Sequence, residues 1–249
     1  LLSQPPRKGF ATIRLPEYAN GYLKTNCLPL FSGSPNPHQG YLKNPTMLRT
    51  LKTIWHGLTA KGALFPHQLA FTLLIPLRNW ALSPAELVRR LDLQPQQRIL
   101  EVGCGPGYFS PALARAVPQG SLVLADIQPE MLAKARQRLE KRHITNAEYH
   151  LCSGSSFPFA RGSFHRIVLV TVLGEVADQA AYLAEFHRLL APDGLLSISE
   201  AAGDADKLSR TELIQLLEQY GFSPVQQFGN ERNYTLNFGK TDLSLAETR

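Results

Sequence analysis

An α/β fold, a mostly parallel sheet with helices on both faces, is predicted by three features of this 249-residue chain. Strand-like and helix-like runs alternate from residue 98 onward. The first strand-like run, Arg98-Ile99-Leu100-Glu101-Val102, leads into a glycine-rich turn, Gly103-Cys104-Gly105-Pro106-Gly107. Residues without a Cβ can take positive φ there and let a ligand touch the backbone, while the following helix presents unpaired N–H groups. The second run, Leu122-Val123-Leu124-Ala125-Asp126, ends in a carboxylate about 20 residues after the turn, where such sheets hold ribose hydroxyls.

In chain order, residues 1–46 carry Pro5-Pro6, Pro16, Pro29, Pro35 and Pro37 with four glycines and no sustained period. An irregular extension is expected there. From Met47 to Trp80, Leu48, Leu51, Ile54, Trp55 and Leu58 recur at helical spacing, and a second run follows Pro66. Residues 47–92 are therefore read as helices forming a lid, and residues 93–249 as the ligand-binding domain. Leu69 to Leu77 is almost wholly apolar, but nine residues fall short of the roughly 20 that span a bilayer. Ser83-Pro84-Ala85-Glu86 has the form of a capping box opening a helix to about Leu91. Strands are expected near 98–102, 121–125, 147–151, 166–172 and 195–200, with helices near 107–117, 129–142 and 179–190. Ile167 to Val172 lacks polar alternation, as a central strand buried on both faces does. Ser209-Arg210-Thr211-Glu212 is a second capping box, for a helix ending at Gly221. Two β segments, 224–228 and 232–238, then flank Gly229-Asn230-Glu231 as a hairpin.

The formal charge of +6 is unevenly placed. Residues 1–85 hold nine Lys/Arg and one acid, Glu17, a net of +8; residues 86–249 hold seventeen against nineteen, a net of −2. A basic leader of this kind serves as a transit peptide, a nucleic-acid arm, a surface that meets anionic lipid, or a solvated extension, and the last is the default. Peripheral membrane contact is the sharper alternative. Cys27, Cys104 and Cys152 are odd in number, widely spaced and without a Cys/His ligand pattern, so no metal site is expected, and a reducing, cytoplasmic setting is. His38, His56 and His67 are read first as surface or packing residues.

The order G-x-G-x-G with Glu101 in front differs from the G-x-G-x-x-G of dinucleotide oxidoreductases, and it resembles motif I of the class I S-adenosylmethionine-dependent methyltransferases. The resemblance extends over residues 98–200. Asp126-Ile127-Gln128-Pro129-Glu130-Met131-Leu132 is similar to the family's D-x-S-P-E-M-L, and Phe157-Pro158-Phe159 with Gly162-Ser163-Phe164 to its L-P-F…S-F-D. Glu185 to Gly194 is similar to its E-x-x-R-V-L-K-P-G-G, and Leu195 to Glu200 to its fifth strand. Among its members, the ubiquinone/menaquinone methyltransferases are the ones resembled. Two positions depart from the pattern: Ser153 stands where an Asp usually holds the adenine amino group, and His165 replaces the Asp of S-F-D.

The resemblance implies a Rossmann-like methyltransferase fold with an antiparallel C-terminal strand, and S-adenosyl-L-methionine as cofactor. It places Gly103, Cys104, Gly105 and Gly107 along the methionine and ribose portions, Glu101 at the loop or the ammonium, and Asp126 on the ribose. Ile127 then covers the adenine, with Ser153 and Gly154 at its edge and Thr171 at the mouth of strand four. Glu175, just past that strand, is the candidate base, with a helix-entry or surface carboxylate as the plain alternative; Glu200 at the end of strand five carries the same ambiguity. Methyl transfer needs alignment more than side-chain chemistry, so no Ser/His/Asp or metal constellation is required. The expected partner is a small methyl acceptor, with apolar Phe65, Phe71 and Trp80 favouring a lipophilic one. An RNA or protein methyltransferase, or a noncatalytic protein that binds the same cofactor, are the rival readings. Against nucleic acid, no N-P-P-Y-like element and no basic-aromatic platform appear beyond the leader.

Overall fold

Seven strands form one sheet in the order β3-β2-β1-β4-β5-β7-β6. The structure is a computed structural model, and it describes residues 82–241 except 203 and 205. The expectations for the basic extension, for the lid helices up to residue 81 and for His38, His56 and His67 lie outside the described residues. The strands are β1 (Arg98–Val102), β2 (Ser121–Asp126), β3 (Ala147–Leu151), β4 (Phe164–Val170), β5 (Leu190–Glu200), β6 (Phe222–Gly229) and β7 (Tyr234–Lys240). The helices are α1 (Pro84–Leu91), α2 (Ser110–Ala116), α3 (Pro129–Glu140), α4 (Gln179–Leu189) and α5 (Arg210–Glu218), and a single 3₁₀ turn spans Leu173–Glu175. Neighbours among β1 to β5 pair in parallel; β7 runs antiparallel to both β5 and β6.

This is the doubly covered parallel sheet that the alternation predicts. Residues of α1, α2 and α3 share one core with Ile99, Leu122, Leu124 and Val168, while residues of α4 and α5 share the other with Leu100, Val123, Ile167 and Ile198. Adjacent strand residues thus point into different cores. That is why the middle strands carry unbroken apolar runs.

Local chemistry accounts for most element ends, and several differ from expectation. At α1, Ser83 Oγ accepts the Glu86 N–H, but the reciprocal half of the box is missing because the Glu86 carboxylate pairs with Arg89 and Arg90. At α5 both halves form. Helix α2 begins at Ser110 rather than at 107, because Gly107 at φ +75° belongs to the turn and its N–H donates to the Cys104 carbonyl. Strand β4 stops at Val170, not at Val172, because Thr171 takes φ +54°. A β-branched residue in the left-handed region is rare, and here its N–H is held by the Ser199 carbonyl at 2.8 Å. Strand β5 starts at Leu190, directly after α4; the expected turn at Pro192-Asp193-Gly194 survives as an irregularity, since Phe164 pairs with Leu190 and Arg166 already with Leu195. The hairpin loop has four residues, Asn230 to Asn233, one more than expected, and is closed by Asn230 N–H donating to the Asn233 carbonyl.

A buried polar seam ties α1 to the far side of the sheet. Arg90 Nη1 donates to Thr235 Oγ1 at 2.8 Å, the Thr235 and Ser199 hydroxyls lie 2.7 Å apart, and Asn237 Nδ2 donates to the Arg90 carbonyl at 2.7 Å. Arg166 caps the end of α1 through the Leu91 and Asp92 carbonyls. Among the described residues no helix is long and apolar enough to cross a membrane.

Candidate active site

The glycine turn is held by the strand beside it. Gly103 and Cys104 donate their N–H groups to the Ala125 carbonyl, at 2.8 and 3.2 Å, and Gly105 N–H donates to Asp126 Oδ2 at 2.9 Å. Gly103 sits at φ +65°, and a Cβ there would lie 2.4 Å from Val172 Cγ2, so the position excludes any side chain. The turn after β1, the end of β2 and the segment after β4 therefore meet at the carboxyl ends of the strands, where open α/β sheets bind ligands.

Asp126 holds two segments of backbone. Its Oδ2 holds Gly105 and its Oδ1 accepts the Gln128 N–H at 2.9 Å, fixing the entry to α3, whose N-cap position is occupied by Gln128 rather than by Asp126. Burial raises its pKa, opposed by the backbone N–H groups of Gln128, Gly105 and Ile127. With three backbone N–H groups on it, the carboxylate keeps acceptor capacity for a ligand. Next to it Ile127 is 44% exposed, an unusual degree for a large apolar side chain beside a buried carboxylate. Glu101 is turned inward: Ser110 Oγ donates to its Oε2 at 2.5 Å, joining β1 to the first turn of α2. Burial pushes its pKa up to about 8, with Ser110 opposing and the Asp126 charge adding to the rise. Of the two functions open to Glu101, organising the loop is the one the geometry displays. The Cys104 side chain is buried in the core beneath the turn and its thiol is pushed well above the ordinary range by burial, which makes it an inert filler.

Ser153 and Gly154 are exposed after β3, at the same end of the sheet as Asp126. Tyr182 Oη donates to the Gly154 carbonyl at 3.0 Å, so α4 anchors this loop. The similarity between Glu185…Arg188 and the family's E-x-x-R has a physical basis. Arg188 pairs with both Glu185 oxygens, at 2.7 and 2.6 Å, and donates to the Phe157 and Phe159 carbonyls, while Glu185 accepts the Phe157 N–H. The pair clamps the 157–159 segment onto α4. His165 is structural: its Nδ1 accepts the Arg98 N–H at the opposite end of the sheet from the glycine turn.

Thr171 leads from β4 into the turn that carries Glu175. Burial raises Glu175 to about 7, with repulsion from Asp204, Asp206 and Asp126 adding to it. Glu200, 3% exposed, is raised to about 8 by burial first, then by Asp204, with Lys207 opposing. A Cβ on Gly174 would lie 1.9 Å from the Asp206 carbonyl oxygen, so the segment after β5 packs directly on the turn after β4. Asp204, Asp206, Ser110 and Tyr182 were not singled out by sequence reading. No local pattern marks them, because each reaches the site through a tertiary contact; only the E-x-x-R helix hinted that α4 faces the loops.

The site fits a cationic ligand with a ribose. Carboxylates close β1, β2 and β5 and follow β4, the turn exposes backbone, and a hydrophobe flanks Asp126. The comparisons point the same way. Residues 99–194 match the family model described as "Methyltransferase domain". The chain is similar to the ubiquinone/menaquinone biosynthesis C-methyltransferase UbiE of Coxiella burnetii, 28% identical over 77% of this chain and 74% of that one. It is also similar to the demethylmenaquinone methyltransferase of Geobacillus kaustophilus, 31% identical over 44% and 47%. With an uncharacterised 37.1 kDa protein in transposon TN4556 of Streptomyces fradiae it shares 37% identity, and the match spans a third of that protein. Among solved structures, an S-adenosylmethionine-dependent methyltransferase from Aquifex aeolicus superposes with a TM-score of 0.66 at 20% identity, covering 70% of this chain and 98% of that one. The [4+2]-cyclase SpnF does so at 0.52 and 20%, covering 58% and 57%, a likeness of fold alone.

Proposed function

We propose, for a chain that belongs to the class I S-adenosylmethionine-dependent methyltransferases, that it transfers the methyl group of this cofactor to a small-molecule nucleophile. When bound, the cofactor supplies an activated methyl on a sulfonium cation. The observation that carries the reading is Asp126, whose carboxylate bonds the glycine turn through Gly105 at the carboxyl end of the sheet, where its negative charge favours a cation. The same field opposes a polyanionic nucleic acid. Gly103, Cys104, Gly105 and Gly107 offer backbone to the methionine and ribose, Asp126 offers its free lone pairs to the ribose hydroxyls, and Ile127 covers the adenine. Ser153 and Gly154, held by Tyr182, border its edge in place of the family's Asp, and Thr171 shapes the mouth beside Glu175. Glu175, with a proton affinity near neutrality, is the group placed to accept a proton from the nucleophile.

Small-molecule acceptors are supported by the relatives named for quinone methylation. Calorimetry with S-adenosylmethionine and S-adenosylhomocysteine should show binding, and mass spectrometry of a cell extract incubated with methyl-labelled cofactor should show label in small molecules. Label confined to RNA or protein would replace the acceptor class, and cofactor binding without any transfer would leave a noncatalytic binding protein.

A further inference from the structure

The crossovers from β1 to β2, from β2 to β3 and from β4 to β5 each carry a helix, whereas β3 passes to β4 through residues 152–163, which form only turns and bends. Beside α4 this leaves a cavity of about 400 Å³, a size at which small-molecule sites occur. Its helix wall is the stripe Ala181, Ala184, Glu185 and Arg188, one side of α4, where two methyl side chains leave the room. Ser155, Ser156 and Arg161 form the loop wall. His187 borders the cavity as well, with its ring packed on Phe222.

The groups with bonding capacity to spare in this lining are donors. Glu185, the carboxylate among these residues, already accepts two N–H groups of Arg188 and that of Phe157, and its charge is met by the guanidinium. Arg188 in turn has four of its five N–H groups engaged, with Glu185 and with the Phe157 and Phe159 carbonyls, and keeps one. Arg161 is exposed, and among the described residues neither its guanidinium nor the Ser155 and Ser156 hydroxyls make a hydrogen bond or an ion pair. A cation entering here would find no uncompensated negative charge. An anion finds a free guanidinium, a further guanidinium N–H and two hydroxyls that can donate. A phosphate group, with several acceptor oxygens and up to two charges, matches more of those donors than a carboxylate does.

We propose that the cavity between α4 and residues 155–161 is an effector site for a small phosphomonoester, and that its occupancy tightens cofactor binding. The site itself is independent of the methyltransferase reading; the coupling rests on it. Ser155 directly follows Gly154, whose carbonyl is held by Tyr182 of the same helix that walls the cavity, and Phe157 is clamped to that helix by Glu185 and Arg188. A phosphate that bonds Ser155, Ser156 and Arg161 while touching α4 ties down the piece of loop between these two anchors. The Ser153-Gly154 border of the adenine is then ordered before the cofactor arrives, so the cofactor binds without bearing that ordering cost. By linkage the cofactor tightens the phosphate ligand by the same factor.

The test is calorimetric titration of the full chain with phenyl phosphate and with benzyl alcohol, each with and without saturating S-adenosylhomocysteine. Phenyl phosphate should bind at least tenfold more tightly than the neutral probe, and at least threefold more tightly to the saturated chain than to the free one. Arg161→Ala and the double variant Ser155→Ala/Ser156→Ala, both at accessible positions outside the cofactor contacts, should each weaken phenyl phosphate at least fivefold. S-adenosylhomocysteine affinity measured without phosphate should stay within twofold in both. No phenyl phosphate binding up to millimolar concentration, equal binding of the two probes, or binding that both variants keep overturns the site and leaves the methyltransferase reading standing. Equal phenyl phosphate affinity in free and saturated chains overturns the effector role. Failure of S-adenosylhomocysteine to bind at all removes the methyltransferase reading and the coupling with it, while the free-chain titrations still decide the phosphate site.

Discussion

Asp126 is one carboxylate on which two segments of backbone depend. Its two oxygens accept N–H groups from the glycine turn and from the start of α3, so Asp126→Ala strands both donors in a partly buried place. We expect a loss of about 1–3 kcal/mol in chemical denaturation, together with at least a tenfold weaker cofactor affinity by calorimetry. Asp126→Asn keeps one acceptor oxygen and should fall between. Full stability in the alanine variant would show that the turn holds itself. The place of Asp126 beside the glycine turn was legible because its distance from that turn is a matter of spacing along the chain. Its structural role was not, since that depends on which N–H groups converge on it. The same holds for Glu101, whose place before the turn was plain while its partner Ser110 was not.

At the scale of elements, chemistry that is local in sequence proved the easiest to anticipate. The apolar runs of β1 and β2 and the Ser209-x-x-Glu212 box were read with their observed starts or within a residue of them. Tertiary effects moved the rest: Val172 pressing on Gly103 accompanies the early end of β4 at Thr171, and the tight approach of Gly194 to the Leu190 side chain and the Ala191 carbonyl accompanies the inclusion of the family's turn in β5. The two capping sequences look alike yet should behave differently. Ser209→Ala removes one half of a complete box and should cost about 1–2 kcal/mol, whereas Glu86→Ala should act through Arg90, whose guanidinium then loses the carboxylate that steadies its bond to Thr235. Hydrogen exchange distinguishes the two, with faster exchange confined to α5 in the first case and spreading to β7 in the second.

For the whole molecule, the buried carboxyls set the response to pH. Glu101, Glu175 and Glu200, raised to about 8, 7 and 8, bind their protons more tightly in the folded protein than in the unfolded chain, where the ordinary value is 4.5. Their contribution is whole below that value and is lost as pH climbs through 7 to 8. Glu86, lowered to about 2 by its arginines, acts oppositely and only below 4.5. Without cofactor, Tm should therefore fall by roughly 15–25 °C between pH 6 and pH 9, since about five pKa units in all are traversed, at about 1.4 kcal/mol per unit and about 2–4 °C per kcal/mol. Glu101→Gln, which still accepts from Ser110, should flatten part of that slope in a pH series of thermal melts; an unchanged slope would show that Glu101 ionises freely. The polar seam and the strand order have a separate consequence, in time rather than in space. β7 is the last element of the described residues to be translated, yet it lies between β5 and β6 and receives the contacts of α1, the first of them. While the ribosome is still adding residues up to Tyr234, β5 has an open edge and Arg90 has no hydroxyl to meet. The sheet must therefore wait, half assembled and sticky, for the end of its synthesis. A chain stopped after Gly229 should accumulate as aggregate in the cell, and its release from translation should be the step at which chaperones matter most.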